Sequence, residues 1–302
     1  MRTRAGRLAA MGIGLWASLA LPGAAAVANA VSMPELLPHH VTYKLRLDSS
    51  RPSAQVEHMA GEIDYRITGN ACSGYATKTR QSSEISAGDG VNRQEIESSA
   101  WEDGNSRSYR FSSISTGSDI PRKEIEAKVA RDDAGGLQVN VTRPDVRSFD
   151  LGGKVFLPTE HMRRTLAAGL AGETHFAAKV YDGASDPSKV YDTLAVIGEA
   201  RQAAPASGTT TPAIRGLTEK AAQALEGQRF RPVVISYFDA GEQDGPPAYV
   251  MSFSLYENGV LGDLRIDYGR FALVGAMSRF EPLGSVADCT ATPSGSAPLT
   301  KE

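Results

Sequence analysis

The sequence predicts a mainly β protein of roughly a dozen antiparallel strands with one or two short helices. Apolar residues recur at every second position through most of the chain, Asx-Gly pairs punctuate the alternating runs, and only two segments carry apolar residues at helical spacing. Strict alternation puts one face of a strand on a core and the other in water, which favours antiparallel pairing.

The first thirty residues precede these runs. Arg2, Arg4 and Arg7 lead into an uncharged apolar stretch from Leu8 to Leu21, and Ala28-Asn29-Ala30 is a small-x-small cleavage site. That order predicts a secretory signal peptide over 1–30, cleaved after Ala30. The competing reading, a membrane anchor, asks for an apolar run of ~20 residues, which this one does not reach. No later segment is long and apolar enough to span a bilayer, so a mature form without a transmembrane span is expected. Export implies a disulfide-permissive compartment, most simply a bacterial periplasm.

The strands follow in order. Val41/Tyr43/Leu45/Leu47 alternate with Thr42, Lys44 and Arg46, and Ile63/Tyr65/Ile67 repeat the pattern. Ile125/Ala127/Val129, Leu137/Val139/Val141 and Val233/Ile235/Tyr237 do the same. Tyr249/Met251/Phe253/Leu255 precede Asn258-Gly259, and Leu264/Ile266/Tyr268 follow it, the clearest hairpin in the chain. Asp89-Gly90, Asp103-Gly104 and Asp182-Gly183 are further turn signals. A last strand is expected around Phe271 to Met277.

Pro158-Thr159-Glu160 opens a helix with Thr159 as its expected N-cap, and Met162, Leu166 and Leu170 form one apolar stripe ended by Gly172. A second helix is expected from Ile214 to Leu225. Before it, Gln202 to Pro212 reads as a flexible loop, rich in Ala, Ser, Thr, Gly and Pro. The tail over 290–302 lacks a hydrophobic pattern and is expected to be disordered. One domain over 31–289 is the expected organisation.

Loss of the leader moves the formal net charge from −3 to −6. A mildly acidic surface gives no electrostatic reason to bind nucleic acid or anionic lipid heads. The two cysteines, Cys72 and Cys289, both survive cleavage and are expected to pair. Their bridge closes a loop of more than 200 residues, a constraint of roughly 5 kcal/mol on the unfolded chain at most. It would pin the end of the sheet near its beginning.

Enzyme motifs are missing. No G-x-S-x-G elbow, phosphate loop, G-x-G-x-x-G or C-x-x-C occurs, and no catalytic residue, metal site or cofactor is expected. Adjacent His39 and His40 would point to opposite faces of a strand and read as solvated or turn residues. Glu160-His161 reads as helix N-terminal electrostatics plus a polar surface histidine, against the alternative of an acid-base pair. Asp132-Asp133 reads as a turn. Trp101, the tryptophan left after cleavage, reads as core packing at a turn against the alternative of a ligand surface.

A longer pattern joins these pieces. Leu37-Pro38-His39, Gly69 to Tyr75, Trp101-Glu102-Asp103-Gly104, Leu157 to His161, Tyr181-Asp182-Gly183, Ile197-Gly198, Ile235 to Phe238, Leu255 to Val260, Asp267-Tyr268-Gly269 and Cys289 occur in that order. The chain thereby resembles the cell envelope integrity protein B family of alphaproteobacterial periplasmic proteins, over roughly Leu37 to Cys289. The resemblance implies a strongly curved antiparallel sheet forming an open barrel or spiral, and a disulfide between Cys72 and Cys289. It also implies a non-enzymatic role in cell envelope integrity and under envelope stress, with a periplasmic partner carrying tetratricopeptide repeats. The alternative function is a carrier or sensor of a lipid or lipoprotein acyl chain within the curved sheet. Tyr65, Tyr237, Phe253 and Tyr268 are then the candidate ligand-facing residues, against the simpler reading that they fill the core.

Overall fold

A computed structural model describes residues 33–51, 56–88, 90–118, 121–203, 225–241 and 245–284. The expected signal peptide, most of the expected loop after Gln202, Cys289 and the tail lie outside them, as does the second expected helix apart from Leu225.

Among the described residues sixteen strands make one sheet. They are β1 (His39–Leu47), β2 (His58–Asn70), β3 (Gly74–Ala87), β4 (Gly90–Glu102), β5 (Ser108–Gly117), β6 (Lys123–Arg131), β7 (Leu137–Arg143) and β8 (Arg147–Leu151). There follow β9 (Val155–Phe156), the helix α1 (Pro158–Leu170), β10 (His175–Tyr181), β11 (Val190–Ile197) and β12 (Arg201–Gln202). The chain continues through β13 (Arg229–Asp239), β14 (Tyr249–Tyr256), β15 (Leu261–Asp267) and β16 (Ala272–Pro282). The expected dozen undercounts, in part because β9 and β12 are two residues long, too short for a period to register.

From β8 the sheet runs back through consecutive hairpins to β1, passes to β16, and returns through β15, β14, β13, β11 and β10 to β9; β12 pairs with β13 off this path. Neighbours are antiparallel except β9 and β10, which are parallel and bridged by α1. The fifteen strands of the path form a nearly closed barrel with an unsealed seam between β8 and β9. Alternation decides which face turns inward. Tyr65 lies opposite Val41 and Ile63 opposite Tyr43, while Ile235 lies opposite Met251 and Val233 opposite Phe253, so these side chains share the inner surface.

The first and last described strands pair directly, from His39 opposite Pro282 to Leu47 opposite Leu273. The first and last strands along the described chain are therefore neighbours joined by a backbone ladder, and the barrel opens between strands from the middle of the chain. A bridge from Cys72 would lie at the β2–β3 turn, away from that seam. In this turn the Asn70 Oδ1 accepts from the Cys72 and Ser73 N–H groups at 3.0 and 2.8 Å.

Helix α1 lies across one end of the barrel. Its Arg163 donates to Pro34 O and Gly104 O at 2.9 and 2.8 Å. Leu166 is buried among Ala195, Ile197 and Val233. The helix ends as expected, with Gly172 at φ 82° and the Glu173 N–H bonded to Ala168 O at 2.9 Å. Its start is different: Leu157 is the N-cap, Pro158 the first helical residue, and Thr159 lies inside. The stripe also ends early, since Leu170 is 43% exposed.

Gly74 shows why one turn residue is fixed. Its φ is 83°, and a Cβ there would stand 2.6 Å from Glu102 O and 2.8 Å from the Trp101 ring. Trp101 thus packs on the outer face over a residue without a side chain, with Arg110 at 4.8 Å on its ring. Gly74→Ala is expected to cost about 2–4 kcal/mol from left-handed backbone strain and overpacking. Urea denaturation followed by Trp101 fluorescence measures it; an unchanged midpoint would contradict the packing.

Candidate functional site

Several of the segments that carry the resemblance meet at the helix-bearing end of the barrel: Leu37-Pro38-His39, Gly69 to Tyr75, Trp101 to Gly104, Leu157 to His161 and Leu255 to Val260. A Cβ on Gly104 would overlap Ala71 O at 1.7 Å, and one on Gly259 would meet the Leu36 side chain at 2.4 Å. The Leu37 N–H bonds Asn258 O at 2.8 Å, and the Leu36 N–H bonds the Tyr75 hydroxyl at 3.3 Å. These close approaches form a roof with α1, and a cavity of about 330 Å³ lies beneath it.

Glu102 stands at the rim of this cavity. It ends β4 on the inner face, opposite Tyr75 on β3 and Tyr109 on β5, and is 2% exposed. Its Oε2 accepts the Thr159 N–H and its Oε1 the Glu160 N–H, both at 2.7 Å. The Ser106 hydroxyl donates to Oε1 at 3.2 Å. Leu157 has no side chain able to satisfy the orphan donors of α1, so a carboxylate 57 residues away does so. Burial pushes the Glu102 carboxyl up to about 7; the Thr159 and Glu160 N–H groups and the Thr159 side chain oppose the rise, and the Glu160 charge adds to it.

Glu160 is itself buried, held by Arg131 at 2.6 Å and Arg164 at 2.9 Å. Its carboxylate makes no pair with His161. The imidazole packs against Phe176, with ring centroids 5.9 Å apart, and its Nε2 is 3.3 Å from the Thr193 hydroxyl. Desolvation holds it down to about 4. The expected polar surface histidine is therefore a neutral core residue, because the start of α1 turns that position towards β10 and β11.

His39 and His40 do point to opposite faces. His40 is 2.7 Å from the Asp64 carboxylate. His39 is buried, not solvated: it lines the cavity between Tyr65 and Phe280, at centroid distances of 5.9 and 5.6 Å. Its Nδ1 donates to Leu37 O at 2.7 Å, which leaves Nε2 as an acceptor. Burial lowers its pKa, the bond to Leu37 opposes that, and His40 adds to the lowering.

The rest of the wall is apolar with a few hydroxyls. Tyr43, Ile63, Met251 and Leu264 face Thr77 and Thr79, and Met162 reaches down from α1. The Tyr43 hydroxyl is engaged by Leu261 O at 2.7 Å. Tyr65 and Tyr109 also line the cavity, and both hydroxyls are raised by burial and by the charge of Glu102.

Of the four aromatic candidates, the structure places Tyr65 in this cavity. Phe253 is buried in the core beside Val233 and Ile235. Tyr237 stacks on Tyr249 at 4.4 Å, at the opposite end of β13, and Tyr268 is 38% exposed beside Phe271. Sequence reasoning missed Glu102, His39, Tyr75 and Tyr109. The available signal for Glu102 was parity: it follows Ile96, Ser98 and Ala100 on the inner face of β4. Among the described residues no cluster suited to a metal ion occurs.

The EipB-like family model matches residues 30–284. The chain belongs to the EipB-like family. A relative, cell envelope integrity protein EipB of Brucella abortus (strain 2308), is 30% identical over 269 residues, covering 88% of this chain and 90% of that protein. A crystal structure of a β-barrel-like protein of domain of unknown function DUF1849 from Brucella abortus superposes with a TM-score of 0.72 at 26% identity. It covers 83% of this chain and 100% of that one.

Proposed function

We propose that the chain is a non-enzymatic periplasmic protein that maintains cell envelope integrity by holding a hydrophobic ligand, a lipid or lipoprotein acyl chain. The supporting observation is the cavity of about 330 Å³ between the inner face and α1, lined mainly by apolar side chains with few polar groups. Ligand sites have that character, whereas core filling alone leaves few voids larger than a water molecule. The envelope role rests on the name of the Brucella relative. Native mass spectrometry of protein released from its own periplasm is expected to show bound lipid. Repeated absence of adducts, with the empty protein intact, would oppose the reading. Deletion of the gene is expected to raise sensitivity to detergents and cell-wall antibiotics.

A second reading, action through a periplasmic partner with tetratricopeptide repeats, is favoured by one surface. Val196 and Val234 are register partners on the outer face of β11 and β13, 52% and 39% exposed, with Leu194 beside them. Such a patch suits a protein contact better than water. Val196→Glu is expected to reproduce the deletion phenotype while leaving ligand binding intact.

The Cys72–Cys289 bridge belongs to the same proposal. Cys72→Ser is expected to lower thermal stability, by up to about 5 kcal/mol, and to speed proteolysis. Free thiols at both positions in periplasmic material would refute the pairing.

A further inference from the structure

Resting on the reading of the cavity as a ligand site, we propose that it selects single-chain ligands whose buried end carries no negative charge, and that Glu102 sets this selection. The cavity volume of about 330 Å³ equals roughly eleven water volumes, the scale of one acyl chain. Its polar groups decide which end can enter.

The N-terminus of a helix ordinarily attracts anions, because its free N–H groups point outward. Here those of Thr159 and Glu160 are already bonded to the Glu102 carboxylate. The anion site is therefore occupied by the protein itself. Among the described residues the cavity lining includes no lysine or arginine. A neighbouring cation, Arg163, lies over the Tyr75 ring at 5.4 Å, but its guanidinium is spent on the carbonyls of Met33, Pro34 and Gly104. An incoming carboxylate or phosphate would meet Glu102 without a counter-charge, in a medium where unpaired charge is expensive. An uncharged end meets compatible groups: the His39 Nε2 acceptor and the Tyr65 and Thr79 hydroxyls. The ligand class is thus an alcohol, an ester or an esterified acyl chain, as opposed to a free fatty acid or other anionic amphiphile.

The test is run at about pH 9, where the Glu102 carboxyl is ionised, and compares dodecan-1-ol with dodecane-1-sulfonate, which keeps its charge at all working pH values. Each is titrated against the neutral fluorophore N-phenyl-1-naphthylamine on the full mature protein, the alcohol below its aqueous solubility limit and the sulfonate below its micellar concentration. The alcohol is expected to bind roughly tenfold or more tightly than the sulfonate. Glu102→Gln should narrow that gap. Because this variant disturbs the helix cap, Thr79→Lys provides a gain-of-function arm: an ammonium in the wall should recover sulfonate binding with the cap intact. Equal binding of both probes to the parent would overturn the selection while leaving the cavity as a ligand site. A gap unchanged in folded Glu102→Gln would remove Glu102 from the role. Binding of neither probe would overturn the carrier reading and this inference together.

Discussion

Arg131→Ala is expected to lower the unfolding free energy by about 3–5 kcal/mol, a large share of the stability of an ordinary domain. The side chain ends β6 and ties separate elements together. Its Nε donates to Ser106 O at 2.9 Å, its Nη1 to Val155 O at 2.9 Å and to Gly135 O at 3.1 Å, and its Nη2 to Glu160 at 2.6 Å. Removing it leaves Glu160 buried with Arg164 alone, close to the second buried carboxylate, Glu102. The three carbonyls lose a charged donor in the same step. Glu160→Gln in the Arg131→Ala background should recover part of the loss by removing the stranded charge. Arg93→Ala, which breaks the exposed pair with Glu84 at 2.8 Å, is the comparison and should cost under about 1 kcal/mol. Equilibrium urea denaturation monitored at Trp101 measures all three. A loss for Arg131→Ala no larger than that for Arg93→Ala would show that the network does not hold the helix to the barrel.

The sequence made the sheet legible where one face is buried. In β1, β6, β7, β13, β14 and β15 the alternating residues are the inner residues, and the Asn258-Gly259 hairpin forms with Gly259 at φ 84°. The far halves of β3 and β4 carry no such signal. Gln81, Ser83, Gln94 and Ser98 occupy inner-face positions there, where the sheet is open to water and the apolar period has no cause. The seam was equally silent, because pairing between distant strands leaves no local trace. The parallel crossover through α1 follows from β9, whose two residues carry no pattern.

The site was less legible than the fold, for a related reason. Thr159 looks like an N-cap to any local rule, yet the donors of α1 are satisfied by Glu102 from another strand. Glu102 in turn sits beside Asp103-Gly104 and reads as a turn flank. His39 and His161 read as surface residues because histidine is mostly polar in context; each is buried by an element distant in sequence, β16 for one and β10 for the other. Tyr65 lines the cavity because its parity on β2 turns it inward at that height. Tyr237, Phe253 and Tyr268 share parity with inner residues but lie at other heights of the barrel, and periodicity gives no height.

Glu102 and His161 together make a pH prediction with a sign for each. Glu102 titrates near 7 in the fold against 4.5 ordinarily. Between those values the folded protein holds a proton that the unfolded chain has lost, so its contribution to stability falls as pH rises. His161 titrates near 4 against 6.5. There the unfolded chain takes up the proton first, so stability falls as pH drops. Each effect is on the order of 3 kcal/mol, and the slopes oppose one another where the windows overlap. The pair should therefore flatten the parent profile between pH 4.5 and 6.5. Glu102→Gln should unmask the histidine, with stability rising from pH 4 to 6.5. His161→Phe should unmask the carboxylate, with stability falling from pH 4.5 to 7. The titratable groups facing Glu102 are Glu160, Tyr65, Tyr75 and Tyr109, and the other shifted carboxyl and imidazole groups, His39, Asp48, Asp64, Asp182, Asp186 and Asp263, remain in every variant. Differences between profiles, measured by denaturation at fixed pH, isolate the two residues. Parallel profiles for the parent and both variants would mean that neither proton is coupled to folding, and that the carboxylate under α1 is better solvated than its surroundings require.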